Sequence, residues 1–504
     1  MLSRFSQSIL NRTAPLARSF SLLAENQMAY INGEWLHDGE TFNVKNPATG
    51  EVIRSVMNCN KDQAVFAIES AKKAFPAWSQ MNLTDRSEIL RRLYDLLIEN
   101  REELARVMTM ESGKPIRESR GEVQYGANFV RWFAEEAKHV RGQTITSHAT
   151  PESRQLMTVL QPVGVVGFIS SWNFPIAMIT RKMAAALSVG CTSVLKPPSA
   201  TPISALNLAA LAERAGVPKG VFNVVCCTSA NGKGVGKALL ESKDVRSLSF
   251  TGSTSVGQYL YRESAATMKK LGLELGGNAP FIVFDDCNLE DAVVGAIASK
   301  FRNSGQTCIC ANRVLVQEGV YEAFVAKLVE RVRAMKVSNG LEEDCDIGPL
   351  INQAAIDSCR EKVEDAVAKG ARVECGGKSH ALGGLFYEPT VLTHVDRSMK
   401  VFTEESFAPI APIFSFKTEA EAIEMANDTD AGLASYVFSR DVGRCMRVAR
   451  GLQYGIVGVN EAVPSAAEAP FGGVKMSGLG REGGASGLME YLEEKYICLG
   501  GLDH

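Results

Sequence analysis

The sequence predicts an α/β protein with parallel β-sheets. Short runs rich in β-branched residues alternate with segments of helical periodicity, and this alternation is typical of βαβ units. The chain has 504 residues, which is enough for two or three domains with well-buried cores. Its 45% hydrophobic and 22% charged residues are ordinary values for a globular protein.

The first predicted elements are helices, and the strands follow them. Apolar residues recur every three or four positions over residues 61–75 and 86–110, as on one face of a helix. The predicted strands are 164–170, 193–196, 220–225, 245–250 and 279–284, and the predicted helices between them include 176–189 and 204–215. A second alternating block runs from residue 290 to about residue 452.

Composition excludes several classes of protein. The net charge of −3 and the isoelectric point near 6.2 argue against a nucleic-acid partner. The longest strongly apolar stretch, residues 163–169, is far shorter than the ~20 residues of a membrane-spanning helix. Twelve cysteines are too dilute for a disulfide scaffold, and none of the six histidines has metal-ligand spacing to a cysteine pair. We therefore expect a small-molecule substrate and no metal site.

The first 24 residues differ from the rest of the chain. They contain three arginines, five serines and apolar residues at helical spacing, and the first acidic residue is Glu25. This pattern is typical of a mitochondrial transit peptide, with a disordered basic tail as the alternative. We expect the mature fold to begin near Met28 and the protein to lie in the mitochondrial matrix.

One thiol, Cys308, stands among polar and cationic residues, just ahead of an apolar run. A structural cysteine usually has aliphatic neighbours, and packing is the alternative interpretation for any one cysteine. A nucleophilic cysteine needs nearby positive charge, oriented amides or a base to reach its thiolate form. The surroundings of Cys308 therefore predict a nucleophile with a low thiol pKa.

Two other segments supply partners for such a nucleophile. Asn173 follows an apolar strand, where its amide NH2 can stabilise a developing oxyanion. Glu274 stands between two leucines, and burial there would raise its pKa and suit it to general-base work. A satisfied structural carboxylate is the alternative for Glu274. Gly276 and Gly277 leave room for a water molecule or a moving side chain.

A phosphate-binding loop is predicted after the strand that ends at residue 250. Gly252 and Gly257 frame this loop, so backbone amides there can approach a pyrophosphate at the start of a helix. The loop lacks the three-glycine fingerprint, and a plain strand-to-helix turn is the alternative. Lys196, at the end of another strand, is a second candidate for cofactor hydroxyls or phosphate, and an exposed lysine is its alternative.

Taken in order, these segments resemble the aldehyde dehydrogenase superfamily over residues 29–500. The spacing from Glu274 to Cys308 also matches the family. The motifs that carry the resemblance are Trp172-Asn173-Phe174-Pro175, Lys196-Pro197, Phe250-Thr251-Gly252-Ser253, Leu273-Glu274-Leu275-Gly276-Gly277, Gly305-Gln306-Thr307-Cys308, Glu404-Glu405-Ser406-Phe407-Ala408-Pro409 and Pro470-Phe471-Gly472-Gly473.

Within the superfamily, residues 276–286, 299–303 and 480–483 are most similar to the succinate-semialdehyde dehydrogenases, those of mitochondria in particular. The resemblance implies oxidation of succinate semialdehyde with NAD or NADP in 4-aminobutyrate (GABA) degradation. Another short carboxylated semialdehyde, such as glutarate semialdehyde, is the alternative substrate. The implied assembly is a homotetramer or homodimer.

The implied architecture has a Rossmann-type dinucleotide-binding domain, an α/β catalytic domain and a small β oligomerisation arm. The transit peptide would occupy residues 1–24 and the binding domain 28–273, with an arm segment at about 142–161. The catalytic domain would cover 274–455. Residues 456–504 would return to the binding domain and complete the arm.

The resemblance also implies roles for single residues. Cys308 would be the nucleophile, Glu274 the base for deacylation and Asn173 the oxyanion donor. Lys196 would bind the adenine ribose, Ser253 the pyrophosphate and Glu405 the nicotinamide ribose. The full set of implied cofactor contacts is Trp172, Lys196, Ser199, Gly252, Ser253, Gly257, Glu405 and Phe407. The implied contacts to the substrate carboxylate are Arg181, Arg302 and Ser465.

The sequence departs from the family pattern in three places. Ser199 replaces a common glutamate, which removes an acid that would repel a 2′-phosphate and so predicts that NADP is accepted, alongside NAD. Ala408 replaces a glycine in the nicotinamide loop, and residues 483–487 lack a lysine-tyrosine pair near the arm. A dehydrogenase that transfers its acyl group to coenzyme A is a competing interpretation, which Glu274 disfavours because such an enzyme needs no base to activate water. A protein that has lost catalysis and acts only as a scaffold or binding protein is another, which the complete set of Asn173, Glu274 and Cys308 disfavours.

A redox switch is the last expectation. One residue separates Cys308 from Cys310, so in an extended segment both side chains would point to the same side. Their Cα atoms would then lie near the ~7 Å limit for a disulfide, which would be strained and easily reduced. Packing as a small apolar side chain is the alternative for Cys310.

Overall fold

The computed structural model describes residues 28–146 and 154–502. The predicted transit peptide lies outside the described residues and stays a prediction. The strands, in chain order, are β1 (Ala29–Ile31), β2 (Glu34–Leu36), β3 (Thr41–Lys45), β4 (Val52–Met57), β5 (Thr144–Ile145), β6 (Gln155–Pro162), β7 (Val165–Ile169), β8 (Thr192–Lys196), β9 (Phe222–Val224), β10 (Val245–Thr251), β11 (Lys270–Glu274), β12 (Ala279–Val283), β13 (Ala311–Gln317), β14 (Arg372–Cys375), β15 (Thr390–Thr393), β16 (Ile410–Phe416), β17 (Ala434–Phe438), β18 (Ile456–Val459), β19 (Gly478–Leu479) and β20 (Leu492–Leu499).

The helices that accompany them follow the predicted alternation, so the α/β fold class is confirmed. They are α1 (Lys61–Gln80), α2 (Leu83–Glu99), α3 (Arg101–Ser112), α4 (Ile116–Glu136), α5 (Ala177–Ser188), α6 (Pro202–Ala215), α7 (Ser229–Glu241), α8 (Thr254–Ser264), α9 (Leu289–Lys300), α10 (Tyr321–Arg333), α11 (Gln353–Ala368), α12 (Lys400–Thr403), α13 (Glu419–Asn427), α14 (Val442–Gly451) and α15 (Ser486–Met489).

The periodic stretch 86–110 forms two helices rather than one. Helices α2 and α3 meet at Asn100, whose side-chain amide donates to the carbonyl of Leu96 at 2.7 Å. Asparagine competes with the backbone for hydrogen bonds in this way, and it therefore favours helix ends over helix interiors. Apolar periodicity continues across the junction because both helices bury their leucines in the same core.

The first sheet has the strand order β19-β11-β10-β7-β8-β9-β1-β2, and β7 to β11 run parallel. Helices cover both of its faces: Val166 and Leu195 pack in the core that includes α4 to α6, whereas Val165 and Val194 pack with α1 and α7. Strands β8 and β9 follow on one side of β7, whereas β10 and β11 lie on its other side. This reversal of strand order creates a crevice at the carboxyl ends of β7 and β10, where α/β sheets bind their ligands.

The second sheet has the order β14-β15-β16-β13-β12-β17-β18, with β14 antiparallel and the other strands parallel. Its two faces again bury separate cores, since Phe281 packs with α9 and α10 and Ile282 packs with α11 and α13. The sheet extends to Val459, just past the predicted boundary at 455. The domain limits themselves stay predictions.

A small antiparallel sheet, β20-β6-β5, joins the segment near residue 155 to the end of the chain. It combines the two segments that were predicted to form the arm. A two-stranded sheet of β3 and β4 lies near the start of the fold. Among residues 28–146 and 154–502, no helix has the length and apolar character needed to cross a membrane.

Candidate active site

Two cavities meet at Cys308. The larger has a volume of about 970 Å³ and lies at the carboxyl ends of β7, β8 and β10. The smaller has a volume of about 280 Å³ and is bounded by α4, α5 and the loop before β13. Cys308 lines both. The larger cavity brings together the predicted residues Trp172, Asn173, Lys196, Ser199, Gly252, Ser253, Glu274, Glu405 and Phe407, and the smaller one Arg181, Arg302 and Ser465.

The loop that carries Cys308 is held in an unusual backbone conformation. Asn303 and Ser304 both have positive φ, at 52° and 55°, a region that non-glycine residues occupy rarely and usually at functional sites. The backbone N–H of Asn303 donates to Glu118 of α4 at 2.7 Å. A Cβ on Gly305 would lie 2.1 Å from the carbonyl oxygen of Ala408, so glycine is required there. Distant segments therefore fix the position of the nucleophile.

The low thiol pKa expected for Cys308 is wrong for the protein without ligands. Burial raises the pKa of this thiol to about 12, and Glu405 and Glu274 add to the rise. Arg181 acts in the opposite direction and lowers it. Loss of the proton thus depends on this cation and on a neighbouring base, because desolvation disfavours the charged thiolate.

The geometry expected for a Cys308–Cys310 switch is also wrong. The segment is a turn rather than an extended strand, since the N–H of Cys310 donates to the carbonyl of Thr307 at 2.9 Å. Cys308 faces the cavities, whereas Cys310 is buried and its sulfur lies 3.6 Å from the carbonyl oxygen of Lys300. A tight turn rotates successive side chains away from the shared side that the switch required.

Asn173 lies beside the nucleophile loop, four residues after β7 ends. Its Oδ1 accepts from the Ser171 hydroxyl at 2.7 Å, and its Nδ2 donates to the carbonyl of Gln306 at 3.1 Å. The backbone carbonyl of Asn173 accepts from Asn303 at 3.1 Å. An amide NH2 has two donors, so one hydrogen stays free for an oxygen bound at Cys308.

Glu274 ends β11 and lines the larger cavity together with Cys308. Burial, reinforced by Glu482, raises its pKa well above the ordinary value, and Arg181 lowers it in part. Its Oε2 is buried and has no hydrogen-bond partner in the described part of the chain. The raised pKa makes the ionised form of this carboxyl a stronger base toward water than an exposed carboxylate.

The larger cavity has the features of a dinucleotide site. Ser253 precedes the first turn of α8, whose amino end faces the crevice at the switch point. Lys196 ends β8, and a Cβ on Gly232 would lie only 3.1 Å from its side chain. Exposed Lys233 also lines the cavity, as does Ser199. Small residues here leave backbone amides open to an anionic ligand.

The other end of the larger cavity is polar and aromatic. Glu405 accepts from the N–H of Gly277 at 3.0 Å, and burial raises its pKa to about 7. The rings of Trp172 and Phe407 meet edge to face, with centroids 5.7 Å apart. These groups line the same cavity as Cys308, and they would lie near a nicotinamide ring and its ribose if the cofactor runs from Lys196 to the nucleophile.

Gly257 is the predicted cofactor residue that the structure does not bring to the cavity. It is buried in α8, where a Cβ would lie 2.4 Å from the side chain of Leu275. The glycine therefore allows close packing of α8 against the end of β11. Gly252 does line the cavity, and a Cβ on it would meet the Phe250 ring at 2.4 Å.

The polar lining of the smaller cavity combines two arginines, Arg181 and Arg302, with two acids of α4, Glu118 and Glu122. Arg181 is almost fully buried, and its Nη1 and Nη2 have no hydrogen-bond partner among the described residues. Arg302 lies over the Phe174 ring, 5.5 Å from its centroid. Tyr125 of α4 shares this wall, and Ser465 and Arg181 lower the pKa of its hydroxyl against the stronger effect of burial. An anionic group of a ligand would satisfy these donors.

Several residues of the site received no role from the sequence. Glu482 and Phe471 both contact Arg181, and they belong to motifs that carried the family resemblance. Tyr125 and Glu118 are seven residues apart on one face of α4. Helical spacing signals such a face, but the sequence alone does not show that the face meets a cavity. Among the described residues, no group of side chains is arranged to hold a metal ion.

Comparison with known proteins gives consistent matches over nearly the whole chain. The model of the aldehyde dehydrogenase family matches residues 35–497. A glutarate-semialdehyde dehydrogenase of Pseudomonas aeruginosa is 54% identical over 478 residues, covering 94% of this chain and 98% of that protein. A mitochondrial succinate-semialdehyde dehydrogenase of Oryza sativa subsp. japonica is 52% identical over 475 residues, covering 94% and 89%. The crystal structure of an NADP-dependent enzyme of Escherichia coli superposes with a TM-score of 0.92 at 51% identity, covering 94% and 98%.

Proposed function

This chain belongs to the aldehyde dehydrogenase family, and we propose that its substrate within that family is succinate semialdehyde, oxidised to succinate. Membership confirms the resemblance and the fold, and it makes the protein an NAD(P)-dependent aldehyde dehydrogenase. The observation that carries the substrate proposal is the pair of arginines, Arg181 and Arg302, in the smaller cavity that ends at Cys308.

The geometry of that cavity favours an aldehyde with a distal carboxylate. Nη1 and Nη2 of Arg181, beside the Tyr125 hydroxyl, can present two parallel donors that match the two oxygens of a carboxylate. Arg302 adds a second guanidinium and Ser465 a neutral hydroxyl. A volume of about 280 Å³ accommodates a short chain between these donors and the sulfur. Four carbons with a carboxylate at one end and an aldehyde at the other fit this arrangement.

The proposed chemistry assigns one step to each catalytic residue. The thiolate of Cys308 attacks the aldehyde carbon, and Asn173 donates to the oxyanion that forms. NAD or NADP held along the larger cavity by Lys196, Ser253 and Glu405 would supply the two-electron oxidant for that carbon, so that the group on the sulfur would become a thioester. Glu274 removes a proton from water, the hydroxide attacks the thioester, and the carboxylate leaves as Cys308 is restored. One aldehyde and one water are consumed per hydride transferred.

We infer that both NAD and NADP bind in the larger cavity. The wall near Lys196 offers Ser199 where an acid would repel a 2′-phosphate, and Lys233 and Lys237 line the same cavity. Lys237 is partly neutralised by Glu241 at 3.4 Å. Lys196 and Lys233 have no carboxylate partner among the described residues, which favours a phosphate at this end.

Mitochondrial location is a further part of the proposal. The composition of residues 1–24 supports it, as does the mitochondrial name of the Oryza sativa relative. A role in 4-aminobutyrate degradation would follow from the proposed substrate. Import of a reporter fused to residues 1–27 into isolated mitochondria would test the location, and failure of import would contradict it.

Glutarate semialdehyde is the second candidate, because the Pseudomonas aeruginosa relative carries that name. The two substrates differ by one methylene between the aldehyde and the carboxylate. A pocket discriminates one methylene only by about 10- to 200-fold, so both acids can be turned over. The order of kcat/KM for the two semialdehydes decides which is the better substrate.

The test compares succinate semialdehyde, glutarate semialdehyde and butanal on wild type and on Arg302→Ala. Losing one cation of a buried charge pair should raise the KM for either semialdehyde by roughly thirtyfold or more, with the KM for butanal little changed. Arg372→Ala, a change at an exposed position on β14, is the matched control and should leave all three unchanged. Equal losses on charged and uncharged aldehydes would contradict the proposed clamp.

A further inference from the structure

One buried carboxylate, that of Glu482, lies between the two adjacent cations of α5. It forms ion pairs with Nε of Arg181 and Nζ of Lys182. Lys182 also donates to the Thr251 hydroxyl at 2.6 Å, at the end of β10. Ser249 donates to the same carboxylate at 3.4 Å. Glu482 is 7% exposed, so these contacts form away from water.

The segment that contains Phe471 pairs with the segment of Glu482 and contacts Arg181 from a second direction. Phe471 and Glu482 exchange backbone hydrogen bonds at 2.6 and 2.8 Å, so they move as one unit. The Phe471 ring lies 4.4 Å from the guanidinium carbon of Arg181, within range of a cation–π contact. Arg181 is therefore fixed through Nε by a carboxylate and across its face by a ring.

This pairing leaves one side of the guanidinium unused. Nε lies in ion-pair range of Glu482, none of the three guanidinium nitrogens has a partner with hydrogen-bond geometry among the described residues, and Arg181 lines the smaller cavity together with Tyr125. A planar guanidinium held along one edge presents its other donors in a fixed direction. Fixing it before the ligand arrives removes the rotamer entropy that binding would otherwise cost.

We propose that Glu482, together with Phe471, is a positioning residue that aims Arg181 at the carboxylate of the substrate and so sets selectivity for carboxylated aldehydes. The inference rests on the proposed function and names a residue that acts through Arg181 without touching the substrate. The local charge supports it. Among the described residues, Glu482 is the single carboxylate in ion-pair range of both cations, and Glu274, the other acid that acts on them, has its pKa raised well above the ordinary value by burial.

The protonation state of Glu482 is consistent with this role. Burial alone would raise its pKa, but Arg181 and Lys182 together lower the pKa below the ordinary value. The group therefore stays ionised at neutral pH. Glu482 also raises the pKa of Glu274, so a variant is expected to change kcat for every aldehyde. A KM that rises for the semialdehyde but not for butanal distinguishes the positioning role of Glu482 from its effect on kcat through Glu274.

The experiment measures kcat and KM for succinate semialdehyde and butanal on the full-length enzyme with Glu482→Gln. Loss of a hydrogen bond to a charged group should raise the KM for the semialdehyde roughly tenfold and leave the KM for butanal within about twofold. Calorimetric binding of succinate, the product, should weaken by the same factor. Glu490→Gln, on the same segment but outside both cavities, is the control and should change neither.

A double-substitution cycle completes the test. In Arg181→Gln the KM for the semialdehyde should already be raised, and adding Glu482→Gln should raise it no further. If Arg181→Gln is selective and Glu482→Gln is not, the inference is overturned while the proposed function stands. If Arg181→Gln is not selective, the clamp itself is wrong. Should Glu482→Gln fail to fold, Phe471→Leu removes the ring alone and must show the same selectivity, or the inference falls.

Discussion

At Cys308, burial and charge act in opposite directions on the nucleophile. Burial raises the thiol pKa to about 12, and Arg181 is the group that most lowers it. The thiolate fraction of the unliganded enzyme should therefore rise about tenfold for each pH unit between 7 and 9. The arginine at the far wall of the substrate cavity thus also favours the reactive form of the sulfur.

The rate of inactivation by iodoacetamide checks this prediction. In wild type without ligands it should climb across pH 7 to 9 with no plateau. In Arg181→Gln, loss of the cation should make alkylation slower at every pH in that range. Mass spectrometry should assign the label to Cys308, and Cys308→Ala is the control for other cysteines. A plateau below pH 8 would mean that the thiol pKa is ordinary or low.

Cofactor choice is a second property of a single position. Placing a carboxylate at Ser199 should raise the KM for NADP by roughly tenfold or more, because like charges repel in the cavity, and should spare NAD. Ser199→Ala is the matched control, since it removes the hydroxyl without adding charge. An unchanged NAD-to-NADP ratio in Ser199→Glu would exclude this position from cofactor discrimination.

The residues themselves were the most predictable part of the site. Each residue with a proposed catalytic role stands in a short motif whose chemistry can be inferred from its neighbours, as with Glu274 between leucines. The thiol pKa of Cys308 was not predictable, because it depends on how completely other segments enclose the sulfur. Glu482 stands in a quoted motif, yet its partner Arg181 is 301 positions earlier and nothing local connects them.

Among the elements, α5 positions the substrate cavity. Its first turn has no side-chain cap of its own, and Glu122 of α4 accepts from the N–H groups of Ile176 and Ala177 at 2.9 and 3.3 Å. The other oxygen of Glu122 pairs with buried Lys114. One carboxylate thus satisfies the start of the helix that carries Arg181 and neutralises a buried cation.

Glu122→Gln should remove the ion-pair partner of buried Lys114, leaving Glu118 as the other acid that acts on it, and should destabilise the fold by about 3–5 kcal/mol. Denaturant unfolding measures this loss, and the KM for succinate semialdehyde should rise because α5 shifts. Glu111→Gln is the matched control: Glu111 caps α6 in the same manner, with both bonds at 2.9 Å, away from either cavity. That variant should be less stable but should keep its KM. If both variants behave alike, the cap does not position the substrate cavity.

The periodicity of apolar residues predicted the helices and strands, but it did not predict the conformation of the segments that connect them. Strand β7 is a continuous apolar run because helices cover both sheet faces, so it stands out in the sequence. The turn at residues 307–310 has no such signal. Its shape depends on Gly305 meeting Ala408, a contact across more than a hundred positions. The extended segment assumed for Cys308 and Cys310 failed for that reason.

On the scale of the whole molecule, β20 forms one edge of the arm sheet and pairs with β6 on its inner side. Tyr496 and Leu499 of β20 are 58% and 45% exposed. An exposed edge strand with large apolar side chains is a site for pairing with another chain. We expect a second copy to cover it in the predicted homodimer or homotetramer.

Substituting glutamate for both Tyr496 and Leu499 should dissociate the assembly, since like charges would face each other across the edge. Light scattering after size-exclusion chromatography should give a multiple of the chain mass for wild type and the mass of one chain for the variant. Met268→Glu changes a residue that is 87% exposed elsewhere and should not alter the mass. A wild type that elutes as a single chain would contradict the expected assembly.

The meeting of two separate cavities at one sulfur has a consequence for inhibition. A dicarboxylate fragment in the smaller cavity and a nucleotide fragment in the larger one would approach Cys308 from different walls, so neither would exclude the other. Joined by a linker that passes the thiol, the two fragments would bind with the gain of effective concentration that tethering gives. Such a bisubstrate compound would contact Arg181 and Arg302 in the smaller cavity and the dinucleotide site in the larger cavity at the same time. Only an enzyme that has both cavities in this relative position would bind it tightly.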